Sequence, residues 1–288
     1  MKILITGRSG QVGWELARTL APLGDVIALD QQEMDLAEPD SIRKKIREIG
    51  PQLIVNAAAY TAVDKAESDM DLAMKVNGAA PGILAEEAKK LDAPIVHYST
   101  DYIFDGKKIG PYAEDDETNP LSVYGRTKLI GEEAVRASGA DHLIFRTSWV
   151  YGTRGHNFLL TILRLAKERE ELRIVDDQIG APTRSRMIAE ATSLALVQFL
   201  PCREKSGTYH LTSKGSTSWH GFAQAMLDNL EKRPRLLPIP TENYPLPAMR
   251  PKNSLLSNEK LKSAFGLSLP DWKACLDQCM ADKGCATQ

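Results

Sequence analysis

The first twenty residues constrain the fold more than any other part of the chain. Lys2 to Thr6 is a short aliphatic run, Gly7-Arg-Ser-Gly10-Gln-Val-Gly13 follows at once, and Trp14 to Leu20 carries apolar residues at helical spacing. Strand, glycine turn and helix therefore come in that order. Glycines let such a turn tighten and let the backbone approach a pyrophosphate, whose charge then meets the amide-rich start of the helix. The spacing is G-x-x-G-x-x-G rather than the commoner G-x-G-x-x-G, and a glycine turn without a ligand is the competing reading. A second apolar run, Asp25 to Leu29, leads into Asp30, 17 residues beyond Gly13. A carboxylate there is read either as an acceptor for the hydroxyls of an adenosine ribose or as a turn cap.

Strand and helix patterns go on alternating. Pro39 to Ile49 reads as an amphipathic helix, Gln52 to Asn56 as a buried strand that exits through Ala57-Ala-Ala59, and Ala93 to Ser99 as another strand. Between them, Asp69 to Leu91 has a helical pattern that Gly78 and Pro81 should kink or break. Phe104 to Pro120 is polar and rich in Gly, Pro and acids, and is read as a loop over the site. A helix from Ser122 and a strand from His142 to Thr147 follow. This alternation predicts an α/β chain with a doubly wound, parallel, Rossmann-type sheet and a smaller C-terminal substrate lobe. We divide it at 1–151, a dinucleotide-binding domain, and 152–288, mainly the lobe, with later segments free to return to the first part. In the second part, 157–169, 186–200, 257–265 and 270–280 read as helices and 208–212 as a strand. The six prolines between Pro234 and Pro251 exclude regular helix there.

The chemistry-bearing residues cluster at predicted strand ends. Thr100 and Asp101 end the Ala93 strand, at the sheet edge where ligands bind in open parallel sheets. Tyr124 precedes Lys128 by four residues in a helix-compatible run, which puts both on one helical face. A neighbouring ammonium should draw the phenol below its ordinary pKa of about 10, so the pair can move a proton. The competing reading is a surface pair. Lys+Arg of 36 against Asp+Glu of 38, a net charge of -2, argues against a nucleic-acid surface built on net positive charge. No apolar run reaches membrane-spanning length and the N-terminal one is too short for a signal peptide, so a cytoplasmic protein without a membrane partner is expected. Cys202, Cys275, Cys279 and Cys285 show no Cys-x-x-Cys and no nearby histidine, and are read as free thiols.

Taken together, Gly7-x-x-Gly10-x-x-Gly13, Asn56-Ala-Ala-Ala, Ser99-Thr-Asp101 and Tyr124-x-x-x-Lys128 resemble the extended short-chain dehydrogenase/reductases that act on nucleotide sugars. More narrowly, Val55 to Glu67, His97 to Gly106, Phe145 to Tyr151 and Arg250-Pro-Lys-Asn-Ser resemble the dTDP-4-dehydrorhamnose reductase family, a similarity running from residue 1 to about 280. The resemblance implies NADPH or NADH as cofactor, lined by Gly10, Gln11, Val12, Asp30, Asp35, Leu36, Ala59, Tyr60, Thr61 and Tyr98, beside the turn glycines Gly7 and Gly13. It implies Tyr124 as proton donor, Lys128 as its cation and ribose contact, and Thr100 as a hydrogen-bond donor to the substrate carbonyl. Thr100, Asp101 and Trp149 would hold a dTDP-linked 4-keto-6-deoxy sugar, which is reduced at C4 to dTDP-L-rhamnose, a cell-surface polysaccharide precursor. By their residues alone, Thr100 reads rather as a strand-end cap and Trp149 as a core aromatic, and only the joint pattern reverses this. Arg250 is read either as a phosphate contact or as half of an ion pair.

The family also includes members with magnesium held by carboxylates. Glu15 matches the first, but the second position here is Arg186, so no metal is carried over, and the chain is expected to be a monomer or weak homodimer. A dehydratase of the same superfamily would carry a glutamate where this chain has Tyr102, an epimerase would need a further acid-base pair, and a non-catalytic regulatory subunit would often lack the Tyr124/Lys128 pair.

Overall fold

The computed structural model of the chain describes residues 1–228, 230 and 233–285; the side chains of 283–285, Cys285 among them, lie outside the described residues. The first half runs β1 Lys2–Thr6, α1 Gln11–Thr19, β2 Asp25–Leu29, α2 Pro39–Ile49, β3 Leu53–Asn56, α3 Val63–Ala66, α4 Met70–Ala73, a π turn Met74–Ala79, α5 Ala80–Lys90, β4 Ile95–Thr100, α6 Val123–Ala137 and β5 His142–Thr147. The second runs β6 Val150–Tyr151, α7 Phe158–Glu168, β7 Glu171–Val175, β8 Ile179–Gly180, β9 Thr183–Arg184, α8 Ser185–Phe199, β10 Gly207–His210, β11 Thr217–Ser218, α9 Trp219–Leu227, β12 Arg235–Ile239, α10 Glu259–Phe265 and α11 Trp272–Cys285.

The main sheet is parallel, in the order β10-β5-β4-β3-β1-β2. Its strands are apolar at successive positions because both faces are covered. Ile3, Ile5, Val96 and Phe145 pack with Leu16 of α1, with Leu20 just past its end, and with Ile188, Leu196 and Phe199 of α8. Leu4, Ile54, Ile95 and Ile144 face the other way, onto Ile42 and Ile46 of α2 and Leu84 and Ala88 of α5. A third core joins Leu159 and Ile162 of α7 to Phe222 and Met226 of α9 and Leu276 of α11. The expected parallel, doubly wound architecture is present. Two late elements, β10 and α8, belong to the main sheet and its covering layer.

Three local readings are refined. Gly78 and Pro81 interrupt the regular helix without breaking it: α4, the π turn and α5 follow one another directly from Met70 to Lys90, with Gly78 inside the π turn and Pro81 in the first turn of α5. β7 and β12 form a separate two-stranded parallel sheet that the sequence reading missed, because its partners lie over sixty residues apart and Pro238 sits within β12. The segment after β4 does not cover the cleft described below. It packs on residues 251–257, with Gly106 against Pro251 and Lys252 and Tyr112 bridged to Leu256.

Cys202 and Cys275 are free, and Cys275 and Cys279 are buried. Among the described residues no helix is long and apolar enough to cross a membrane.

Candidate active site

A cleft of about 640 Å³ opens along the C-terminal ends of β1 to β5. Its floor is the glycine turn, and the turn is closed so tightly that side chains would not fit. A Cβ on Gly7, whose φ is +74°, would stand 2.8 Å from the Ala58 nitrogen, and one on Gly13 would stand 2.1 Å from the Gly7 oxygen. Gly13 is thus a packing residue inside α1, while Gly7, Gly10, Gln11 and Val12 line the cleft. Gly10 caps α1 without a side-chain hydrogen bond, which leaves the first amides of the helix facing the cleft. An uncapped helix start, backbone cleared of side chains, and a carboxylate at the end of β2 together fit a dinucleotide.

That carboxylate, Asp30, lines the cleft with Asp35 and Leu36. Arg8 Nη2 reaches Asp30 at 2.7 Å and Glu33 at 3.0 Å, and its Nη1 donates to the Ala28 carbonyl. The hydrogen bond from Arg8 holds the Asp30 carboxyl below its ordinary range. Across the cleft stand Ala59, Tyr60 and Thr61. Asn77, from the π turn, accepts from the Tyr60 N–H at 2.8 Å and donates to the Tyr60 carbonyl at 3.0 Å, so the helical irregularity is what fixes this wall.

Tyr98, Tyr124 and Lys128 line the inner end of the cleft. Ser122 caps α6, and the residue after Tyr124 must be glycine, since a Cβ on Gly125 would fall 2.2 Å from the Tyr102 carbonyl oxygen. Burial pushes the Tyr124 phenol up to about 12, opposed by its hydrogen bond with Thr100, and Asp101 pushes the same way as burial. This overturns the expectation that Lys128 depresses the phenol. Lys128 points elsewhere: its Nζ donates to the Tyr98 carbonyl at 2.6 Å and lies 3.5 Å from His97 Nε2. Burial brings the ammonium down to about 8, with Glu132 pulling it upward.

Thr100 does not line the cleft itself, but it touches Tyr124, donates to Asp101 Oδ1 at 3.0 Å and accepts from the Tyr102 N–H. Asp101 is buried, which raises its carboxyl to about 6 against hydrogen bonds from Ser254 and Thr100. Tyr102 meets the Tyr124 ring edge-on at 5.8 Å. Trp149 stands apart from the cleft lining, with φ at +46°, a conformation that a bulky side chain rarely adopts. Its indole lies flat on Trp219, 3.6 Å between ring centres, and against the bare backbone of Gly180. Arg250 is taken up by an ion pair, with Nη1 and Nη2 at 3.0 and 2.7 Å from the two oxygens of Asp64, and it is hydrogen-bonded to Tyr102. Glu15 faces Arg186 at 3.5 Å, and Arg186 also pairs with Asp282.

The sequence reading missed Met34, Leu72, Val76 and the pair Gly155-His156, which line the cleft from segments with no motif. It also missed the buried polar row Thr6, Asn56 and His97, whose signal is three polar residues inside otherwise apolar strands.

The family model described as "RmlD substrate binding domain" matches residues 1–285. A protein named dTDP-4-dehydrorhamnose reductase from Burkholderia thailandensis is 53% identical, over 98% of this chain and 99% of that one. Two crystal structures of proteins with that name superpose closely. The one from Clostridium acetobutylicum has TM-score 0.92 and 40% identity over 98% of this chain and 99% of its own. The one from Bacillus anthracis, in complex with NADP, has TM-score 0.91 and 34% identity with the same coverage.

Proposed function

The chain belongs to the RmlD substrate binding domain family, and from that premise we propose that it is an NAD(P)H-dependent dTDP-4-dehydrorhamnose reductase. The reaction is reduction of the C4 ketone of dTDP-4-dehydro-6-deoxy-L-mannose to dTDP-L-rhamnose. One observation carries the reading: the cleft that begins at an uncapped helix start ends at a buried, protonated phenol hydrogen-bonded to a threonine hydroxyl.

A reduced nicotinamide, when bound, supplies the hydride that goes to the carbonyl carbon. The protein has to supply the proton and the binding. Gly7, Gly10, Gln11 and Val12 receive the pyrophosphate at the start of α1. Asp30 and Arg8 face the adenosine ribose, and Ala59, Tyr60 and Thr61 wall the ring system. Tyr124, kept protonated by burial, gives its proton to the ketone oxygen as charge develops there, and Thr100, turning its hydroxyl away from Asp101, donates a second hydrogen bond to the same oxygen. Lys128, tied to the Tyr98 carbonyl, holds the nicotinamide ribose and is the source of the proton that restores the phenol. Asp101 and the Trp149–Trp219 stack bound the sugar on the lobe side. Arg250 acts as a brace that fixes Tyr102 beside Tyr124, because Asp64 already holds its guanidinium.

Incubating the purified chain with the dTDP-linked keto sugar and NAD(P)H should oxidise the cofactor in step with a product two hydrogens heavier. Loss of water, or an unchanged mass, would instead point to a dehydratase or an epimerase. Efficient turnover of a uridine- or guanosine-linked keto sugar with an inert dTDP substrate would keep the reductase and remove the named substrate.

Cofactor choice follows from the pair at the end of β2. Asp30 suits a free 2′-hydroxyl and opposes a 2′-phosphate, whereas Arg8, already 2.7 Å away, can turn to that phosphate. Arg8→Ala should lower kcat/KM for NADPH more than for NADH, and Asp30→Ala should move the ratio toward NADPH. Steady-state rates with both cofactors check this, and an unchanged ratio in Asp30→Ala would make that residue a cap only.

A further inference from the structure

Thr6, Asn56 and His97 stand side by side on β1, β3 and β4, in register as Thr6 with Asn56 and Asn56 with His97. All three are buried, and their hydrogen bonds run in one direction only. The Ala58 N–H donates to Thr6 Oγ1 at 3.2 Å, and the threonine hydroxyl donates to Asn56 Oδ1 at 2.6 Å. That fixes the amide with its NH₂ toward His97 Nδ1, at 3.0 Å. An amide nitrogen only donates, so Nδ1 must be the acceptor and the imidazole proton must sit on Nε2. Nε2 is the atom that faces Lys128 Nζ.

Two N–H donors therefore confront each other whenever Lys128 carries its charge. The separations agree: Nζ lies 2.6 Å from the Tyr98 carbonyl, which can accept, but 3.5 Å from His97 Nε2, which cannot. A neutral amine removes the conflict by offering Nε2–H its lone pair. We propose that Thr6, Asn56 and His97 form a tautomer clamp, in which His97 is a positioning residue that makes Lys128 give up its proton readily instead of serving as a fixed cation. The proposal rests on the role given above to Lys128. In the proton balance, Tyr124 protonates the alkoxide oxygen, a water in the cleft passes the Lys128 proton to the phenolate, and the amine recovers one from bulk water, which leaves as hydroxide.

The other groups around Lys128 leave this contact as the adjustable one. On its own helix are Tyr124 and Glu132, and Glu132 is tied to Arg146 of β5 and to Arg136. Asp101, in the turn after β4, acts on Tyr124, and Glu67, after α3, accepts from the Val123 N–H. The π turn and α5 meet α6 through Asn77, Gly78, Pro81 and Gly82, none of which titrates. The low affinity of buried Lys128 for its proton is in keeping with the clamp.

The test is Asn56→Asp, which puts an acceptor where the amide donates, moves the imidazole proton to Nδ1 and turns the Nε2 lone pair toward Lys128. The ¹⁵N shifts of His97 should show Nδ1 unprotonated and Nε2 protonated in the wild type, and the reverse in Asn56→Asp. The lysine titration, followed by its ¹³Cε shift in the protein without ligands, should move up by about one unit, and the alkaline limb of kcat/KM should move with it. Thr6→Val, which frees the Asn56 amide to rotate and also removes the acceptor of the Ala58 N–H, should give a smaller shift in the same direction. A wild-type His97 protonated on Nδ1 overturns the proposal, and so does a swapped tautomer with an unmoved lysine titration. Because the tautomer and the lysine titration are read without substrate, they stand or fall separately from the proposed reaction.

Discussion

Replacing Tyr124 with phenylalanine should lower kcat by about 100-fold or more and leave the affinity for the reduced dinucleotide close to that of the native protein. The change removes one oxygen at the inner end of the cleft, the group that touches Thr100, and leaves the glycine turn, Asp30 and the Asn77 clamp on Tyr60 untouched. The ring keeps its edge-on contact with Tyr102, so the fold should hold. Because the phenol is pushed up to about 12, the wild-type donor stays protonated through the neutral range, and its own ionisation should not limit the rate there. Stopped-flow hydride transfer together with cofactor titration checks both halves. Near-native turnover in the mutant would remove Tyr124 from the chemistry.

The largest expected loss of stability is at Arg146. Its guanidinium makes three contacts with the Glu132 carboxylate, at 2.8 to 3.2 Å, and a fourth with the Glu114 carbonyl; Arg146 is 4% exposed and Glu132 0%. Removing one member of a buried pair leaves the other charged in a poor medium. Arg146→Met should therefore destabilise the protein by about 3 to 5 kcal/mol, a fall in Tm on the order of 10 °C. The sign with pH is specific. Burial pushes Glu132 up, but Arg146 more than offsets it, so the folded carboxyl lies below its ordinary value and the native pair stabilises above that value, losing effect as pH falls. In Arg146→Met burial dominates, the folded carboxyl rises, and the mutant gains as pH falls. The gap between the two proteins in urea unfolding should accordingly be wider at pH 7 than near the carboxyl range, and Glu132→Gln added to the mutant should recover part of it. An equal loss at both pH values would mean that lost packing, not the stranded charge, is responsible.

The sequence carried what is local. The strand, glycine turn and helix of residues 2–20 were legible because each depends on neighbours in the chain, and the acid at Asp30 because β2 follows directly. Tyr124 and Lys128 were legible as a pair on one helix face. What the pair does was not, because Lys128 is aimed by the Tyr98 carbonyl and by His97, both on β4, and the phenol is governed by burial that helical spacing cannot report. Of the kink or break expected at Gly78 and Pro81, the irregularity is present as a π turn and the break is not, for a related reason: Asn77 of that turn clamps the backbone of Tyr60, seventeen residues earlier. Arg250 offered two readings that only its partner separates, and Asp64 lies 186 residues away. The pairing of β7 with β12 is hidden in the same way, since an edge strand containing Pro238 has no pattern of its own.

The position of β10 and α8 bears on how the protein is made. A ribosome that has delivered residues 1–151 has produced five of the six strands of the main sheet, yet the outer edge of β5 is still bare. The face of α1 with Leu16, and Leu20 just past its end, also lacks its cover, because Ile188 and Leu196 have not emerged. Thr19 waits for the Ala189 carbonyl to accept its hydroxyl proton, and for the Ser193 hydroxyl to donate to its own carbonyl. The glycine turn is among the first pieces synthesised, but the helix it opens is pinned only when residues 185–210 arrive. Dinucleotide binding is therefore expected only of a chain that has passed residue 210, rather than of an early folded half.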